Sequence, residues 1–232
     1  MRLHTEVHDP VVRILGSLCV HALGPSHAHY ERSGRGGHQQ IRETVLARLP
    51  PGLGHRPDII LLDFDGPGTV TLIDVKTTDV TAASRIQDQH TDRVRLAEHT
   101  RLEQATPASY FPDTVFPGGR PPPRVRLITF AVSTGGSLGT QAQSLISSLV
   151  QRVGRSVPTS LSDEATWATP TFAPFVRMAI CMSVRRALAA SLRRRWGSLA
   201  DAAHARPVVV EAGIEAPEEP GMDLAGVGVE VP

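Results

Sequence analysis

Three residues of this sequence have the types and spacing to do chemistry together: Asp58, Asp74 and Lys76. Asp58 stands in RPDIILLDF (56–64), and Asp74 and Lys76 stand in TVTLIDVKT (69–77). Two carboxylates held close together repel unless a proton or a cation is shared between them. A hard divalent ion removes that repulsion. Mg²⁺ takes one or two carboxylates and fills its shell with waters and phosphate oxygens, and Mn²⁺ accepts the same oxygen ligands. Such an ion lowers the pKa of a bound water and polarises a phosphoryl oxygen. A neighbouring ammonium stabilises the charge that develops as the bond breaks, or orients the attacking water. These are the parts that phosphodiester hydrolysis requires.

The elements that must position them are two strands. The first segment is a continuous apolar run, and the second is β-branched and alternating. Asp65-Gly66-Pro67-Gly68 between them is a turn by composition. A hairpin follows. Alternation puts Asp74 and Lys76 on one face and Ile73, Val75 and Thr77 on the other. A turn centred near Gly66–Pro67 sets Asp58 opposite Asp74 or Lys76, where directly opposed Cβ atoms lie roughly 4.5–5.5 Å apart. The bland alternative is a surface hairpin with a solvated Asp–Lys pair, since Asp-x-Lys is a short pattern and Pro-Asp is common at strand starts. Context favours the chemical reading: both motifs fall on strands, 16 positions apart, with compatible parity.

Further elements flank this hairpin. Asp9 as N-cap and Pro10 at the first helical position open an amphipathic helix over 9–23, with Val11, Val12, Leu15, Leu18, Cys19 and Ala22 at helical spacing. His27 to Arg32 alternates as a short strand would, and Gln39–Leu49 is a weak helix. A charged helix is expected over 81–104, then a Pro/Gly-rich loop to 123 and a strand over 124–133. Leu138 to Val153 and 171–197 carry periodic helices. The fold class is therefore α/β, a mixed central sheet flanked by helices. One domain is expected over 1–200, followed by an acidic, Pro/Gly-rich, disordered tail over 201–232.

Composition sets outer bounds. The chain has 232 residues, 41% hydrophobic and 20% charged, as a globular protein does. No run approaches the ~18 apolar residues of a membrane span, and the N-terminus lacks a signal-peptide layout. Two cysteines, Cys19 and Cys181, cannot build a disulfide scaffold or a four-cysteine zinc site. The expectation is an intracellular protein without a small-molecule cofactor. Oligomeric state is not legible. Net charge is +1, but six acids and no Lys or Arg follow Arg206. The body before them has 24 basic residues against the remaining 17 acids, a balance that suits a polyanion such as DNA. A solvated basic surface would give the same count.

Pro57-Asp58 followed by Asp74-Val75-Lys76 resembles the PD-(D/E)xK nuclease superfamily. The wider layout is similar to the restriction-enzyme-like endonuclease domain of some non-LTR retrotransposon polyproteins. Its features here are an N-terminal helix with His8-Asp9, the RPDI strand, IDVKTTD, a charged helix, and LITFAVSTGGSLG (127–139) before a helix. The resemblance covers about residues 5–197. It implies a restriction-endonuclease-like core in which Asp58 and Asp74 ligate Mg²⁺ or Mn²⁺, Lys76 serves catalysis, and DNA is cut to free a priming end. It also implies a role for Glu31, at the end of the first strand, where these nucleases often place an extra acidic ligand. This sequence contains neither the reverse transcriptase nor the zinc knuckle of such polyproteins. Where their charged helix offers a Lys and a Tyr one turn apart, this one offers Arg93, Arg95 and His99.

Other residues have plainer explanations. A solvated strand end would account for Glu31 equally well, and Glu43 is a weaker candidate for its role. Asp63 and Asp65 suit turn chemistry. Asp79 is placed to cap the next helix. His27 and His29 lack a third metal ligand at useful spacing. Arg85, Arg93, Arg95 and Arg101 could touch phosphates, with a solvated helix face as the default. The Arg193–Arg195 cluster suits DNA contact, nuclear targeting or a basic helix end. Cys19 and Cys181 suit inert core thiols. Three functions remain in play: a Mg²⁺-dependent DNA endonuclease, a non-cutting nucleic-acid-binding module of the same fold, and a remnant domain that merely folds.

Overall fold

The computed structural model describes residues 3–30, 41, 43–78, 92–154, 157 and 171–205. Its elements run α1 (Leu3–Leu23), β1 (Ala28–Tyr30), α2 (Glu43–Leu46), β2 (Ile59–Leu62), β3 (Val70–Thr78), α3 (Asp92–Tyr110), β4 (Val125–Ser133), α4 (Thr140–Val153) and α5 (Phe172–Ala205). The four strands form one sheet in the order β1-β2-β3-β4. The first two pairings are antiparallel and β3–β4 is parallel, so the sheet is mixed. A parallel pair needs a long crossover, and α3 lies on that connection.

The hairpin forms as its turn chemistry predicts. Ile59 pairs with Ile73 and Leu62 with Val70. Asp63 takes a left-handed backbone with φ 58°, and its Oδ1 accepts the Gly68 N–H at 2.6 Å. Gly68 itself has φ 74°, a conformation L side chains rarely adopt. Asp65 accepts from the Thr71 hydroxyl at 2.8 Å and from Arg126 at 3.0 Å. Both acids are thereby spent on the turn.

Strand alternation sorts the core into two sides. Ile59, Leu61, Ile73, Val75, Ile128, Phe130 and Val132 join buried residues of α1, α4 and α5. Ile60, Leu62, Val70 and Leu72 instead join Tyr110, Phe111 and Phe116. Asp74 and Lys76 share the parity of Leu72, so they belong to the second side. Burying a large aliphatic or aromatic side chain contributes about 1.5–3 kcal/mol, and each side of the sheet has several. The outer edge of β4 is covered by its own chain. Gly139 N–H donates to Ala131 O at 2.9 Å and Thr129 N–H donates to the Gln141 side chain at 2.8 Å.

Four helices differ in extent from the sequence reading. Helix α1 starts at Leu3, so Pro10 lies inside it and Asp9 is not its N-cap. An interior proline costs about 3 kcal/mol. Burial of Val7, one turn before the buried Val11, offsets that cost. Helix α3 continues to Tyr110 through Pro107 instead of ending near 104. Buried Thr106, Tyr110 and Phe111 hold that last stretch. The weak helix near 39–49 is a single turn, Glu43–Leu46, among the described residues. Helix α5 runs on to Ala205; residues 206–232, most of the expected tail, lie outside the described residues, as do Asp79 and Arg85.

The chain divides into two units, Met1–Arg194 and Arg195–Pro232. The first holds the whole sheet and α1–α4. The described part of the second is the end of α5.

Candidate metal centre and its carboxylates

Strand β3 is longer than β2, and that difference builds the site. Beyond Ile59–Ile73 the backbone of Asp58 still pairs, its N–H donating to Ile73 O at 3.1 Å. That bond falls one residue out of the Ile59–Ile73 register, so the regular ladder ends there. The next β3 donor, Val75 N–H, has no strand partner on that side. The Asp58 carboxylate takes it: Val75 N–H donates to Asp58 Oδ2 at 2.7 Å. A carboxylate accepting a backbone N–H makes a charge-assisted hydrogen bond, among the stronger kinds. Asp58 is thus fixed against the residue that separates Asp74 from Lys76.

Asp74 is 6% exposed. Its two oxygens have different partners. Oδ1 accepts the Tyr110 hydroxyl at 2.9 Å. Oδ2 lies 2.7 Å from the Lys76 Nζ. That ammonium approaches at an angle too sharp for a hydrogen bond, and Oδ2 remains a buried acceptor without one. Asp74 and Lys76 are two apart on one strand, so the ion pair follows from the pleat.

His8 reaches the site from α1. Its Nε2 lies 3.3 Å from Asp58 Oδ2 and its Nδ1 lies 3.1 Å from Asp9 Oδ1. Burial would lower its pKa, but the hydrogen bonds and charges of Asp58 and Asp9 outweigh burial and push it up to about 9. A doubly protonated ring is then a donor on both nitrogens. His8 ties Asp58 to the first helix.

Tyr110 closes the other side. Its hydroxyl sits 3.1 Å from Arg56 O as well as 2.9 Å from Asp74 Oδ1. Burial, then the charge and hydrogen bond of Asp74, then the charge of Asp58, raise its pKa far above the ordinary tyrosine value. It stays a protonated donor. Gly54 N–H donates to Tyr110 O at 3.0 Å. A Cβ on Gly54 would come within 2.2 Å of Ser109 O, so only glycine lets this loop reach the helix.

The predicted site residues are placed as follows. Asp58, Asp74 and Lys76 sit around one end of the β2–β3 pairing, linked through Val75 and through the Asp74–Lys76 ion pair. Glu31 lies outside the described residues. Glu43 is exposed on the one-turn α2. His27 lies 3.7 Å from Asp63, and His29 Nε2 lies 3.2 Å from Ser26 O. Among the described residues no group of three or more His, Cys, Asp or Glu side chains could hold a metal. Cys19 is buried and its thiol is pushed up to about 12 by burial, as an inert core thiol would be. Cys181 is half-buried, its Sγ 3.5 Å from Gly136 O. Arg101 pairs with Glu98 at 2.8 Å on an exposed helix face.

His99, noted for its place on the charged helix, is 2% exposed. Burial lowers its pKa against the opposing pull of Glu98, and its Nε2 has no hydrogen-bond partner among the described residues. Glu103, one turn on, accepts the Gln141 N–H at 2.8 Å. With Thr106 and Tyr110 these residues recur at helical spacing along α3. That stripe was the available signal for Tyr110, which sequence reasoning did not single out.

Asp74 Oδ2 is a buried carboxylate oxygen without a hydrogen bond, the donor type a small, hard cation takes, with the Lys76 Nζ 2.7 Å away from it. The chain matches no protein-family model, no curated protein and no solved structure.

Proposed function

We propose that this chain is a metal-dependent endonuclease acting on DNA, with a restriction-endonuclease-like core of the PD-(D/E)xK kind. The observation that carries the reading is the Asp58–Val75 hydrogen bond, which brings the first acid to the strand segment bearing Asp74 and Lys76. The resemblance of Pro57-Asp58 and Asp74-Val75-Lys76 to retrotransposon target-site nicking domains supports it. So does the excess of basic residues ahead of the acidic tail.

Asp58 and Asp74 would hold Mg²⁺ or Mn²⁺. When bound, the ion supplies an activated water and charge neutralisation at the phosphoryl oxygen. The chain's own residues do the rest. Lys76, half-buried beside Asp74, offers its ammonium to the scissile phosphate and to the charge that builds on it. Asp58 is oriented by Val75 N–H and His8. Tyr110 keeps Asp74 from turning. Arg56, exposed and two residues before Asp58, offers a backbone-phosphate contact at the rim.

The test is conversion of supercoiled plasmid to nicked or linear DNA by the purified chain. The expected result is cleavage with Mg²⁺ or Mn²⁺ that EDTA stops. No cleavage with any divalent ion contradicts it. A second reading, a non-cutting DNA-binding module, rests on the same basic excess; it predicts salt-sensitive binding that Asp74→Ala leaves intact, with no cleavage.

A further inference from the structure

We infer that Tyr110 is a positioning residue that makes Asp74 a one-oxygen ligand and thereby favours Mg²⁺ or Mn²⁺ over Ca²⁺; this rests on the proposed cation site. A free carboxylate can present either oxygen or both. Ca²⁺ readily takes carboxylates in the two-oxygen mode, whereas Mg²⁺ demands near-octahedral geometry and retains waters. Committing one Asp74 oxygen to a fixed donor opposes the two-oxygen mode.

The structure supplies that donor. The Tyr110 hydroxyl has one proton and two acceptors in reach, Asp74 Oδ1 at 2.9 Å and Arg56 O at 3.1 Å. An ionised acceptor makes the stronger bond, so the proton goes to Asp74. The phenol itself cannot swing away. Tyr110 is fully buried. Its ring packs near those of His55 and Phe111, with centroids 5.8 and 6.4 Å away. Its carbonyl is held by Gly54 N–H, and the next residue's N–H returns to Pro107 O at 2.8 Å. Asp74 Oδ1 is therefore occupied by a rigid group, while Oδ2 has only the off-axis ammonium of Lys76. Oδ2 is the oxygen left without a hydrogen bond.

The experiment is Mn²⁺ binding to the full chain, read by electron paramagnetic resonance, with Mg²⁺ and Ca²⁺ as competitors. Proteins compared are wild type, Tyr110→Phe and Asp74→Ala. Removing an outer partner of a metal ligand typically weakens affinity by about 10–100-fold. Tyr110→Phe should weaken Mn²⁺ binding by about tenfold or more on that scale and shift competition toward Ca²⁺ relative to Mg²⁺. A merely structural role would not move the Ca²⁺/Mg²⁺ ratio. The ring is kept in Tyr110→Phe, and titration below the variant's thermal midpoint compares folded proteins. Unchanged Mn²⁺ affinity and an unchanged ratio in Tyr110→Phe would overturn the inference while leaving the cation site standing. Wild type binding Mn²⁺ no better than Asp74→Ala would overturn the cation site and this inference together.

Discussion

Asp58 Oδ2 accepts the Val75 N–H at 2.7 Å, filling the hydrogen-bonding position that β2 leaves vacant where it ends beside β3. A side chain thus continues a ladder that the backbone has stopped. The bond also explains why an acid stands directly before the apolar run of β2. Asp58→Asn keeps an acceptor for Val75 but removes the charge, whereas Asp58→Ala leaves the N–H unsatisfied. The expected outcome is that both variants lose cation binding, and that Asp58→Ala additionally loses about 1–3 kcal/mol of stability. Urea unfolding of the two variants checks the difference. Equal stability would show that the bond contributes nothing to the hairpin.

His8 gives a pH signature to stability. Its folded-state pKa, about 9, lies above the ordinary value of 6.5, raised by Asp58 and Asp9 against the effect of burial. A raised pKa contributes stability that is fully present below about pH 6.5 and lost as pH rises through about 9. The contribution is at most about 3 kcal/mol. Wild type in EDTA should therefore lose stability between pH 7 and pH 9.5, and His8→Asn should lose much less over that window. Parallel profiles for the two proteins would remove His8 as the cause.

Lys76→Met leaves the strand in place and removes the ammonium beside Asp74. Loss of one group that stabilises developing charge typically costs about 10²–10³ in rate. Single-turnover cleavage at saturating Mg²⁺ should fall by about that factor on the same reasoning, with DNA affinity changed much less. An unaltered rate would exclude Lys76 from the chemistry.

Gly16 shows how tightly α1 sits on the first strand. A Cβ there would lie 2.2–2.6 Å from three Tyr30 ring carbons. Gly16→Ala gains about 1 kcal/mol of helix propensity, but overpacking of this kind typically costs about 1–3 kcal/mol. The expected net result in urea unfolding is destabilisation, relieved when Tyr30→Leu is added. A more stable Gly16→Ala protein would mean that the helix and strand separate easily.

Much of this architecture was legible because it is local. The hairpin announced itself through Asp65-Gly66-Pro67-Gly68 and through parity, and Asp74 and Lys76 follow directly from alternation. The position of the Asp58 carboxylate did not. Its partner, Val75 N–H, is available only because β2 is shorter than β3, and strand length is set by tertiary contacts. Tyr110 was hidden for a similar reason. Pro107 reads as a helix breaker, yet buried Thr106, Tyr110 and Phe111 carry α3 past it. Pro10 misled in the opposite direction. As a first-turn proline it suits a helix start, but burial of Val7 extends α1 backwards and brings His8 to Asp58. Each difference arises where long-range packing overrides a local signal.

The most direct measurement compares wild type with the Asp58→Ala, Asp74→Ala double variant on one labelled duplex, scoring binding and strand cutting in parallel with Mg²⁺. The expected result is cutting by wild type alone, with binding of the duplex retained in the double variant. Cutting by the double variant at the wild-type rate, or an intact duplex with folded, DNA-bound wild type, would contradict a cation-dependent nuclease site at these two acids.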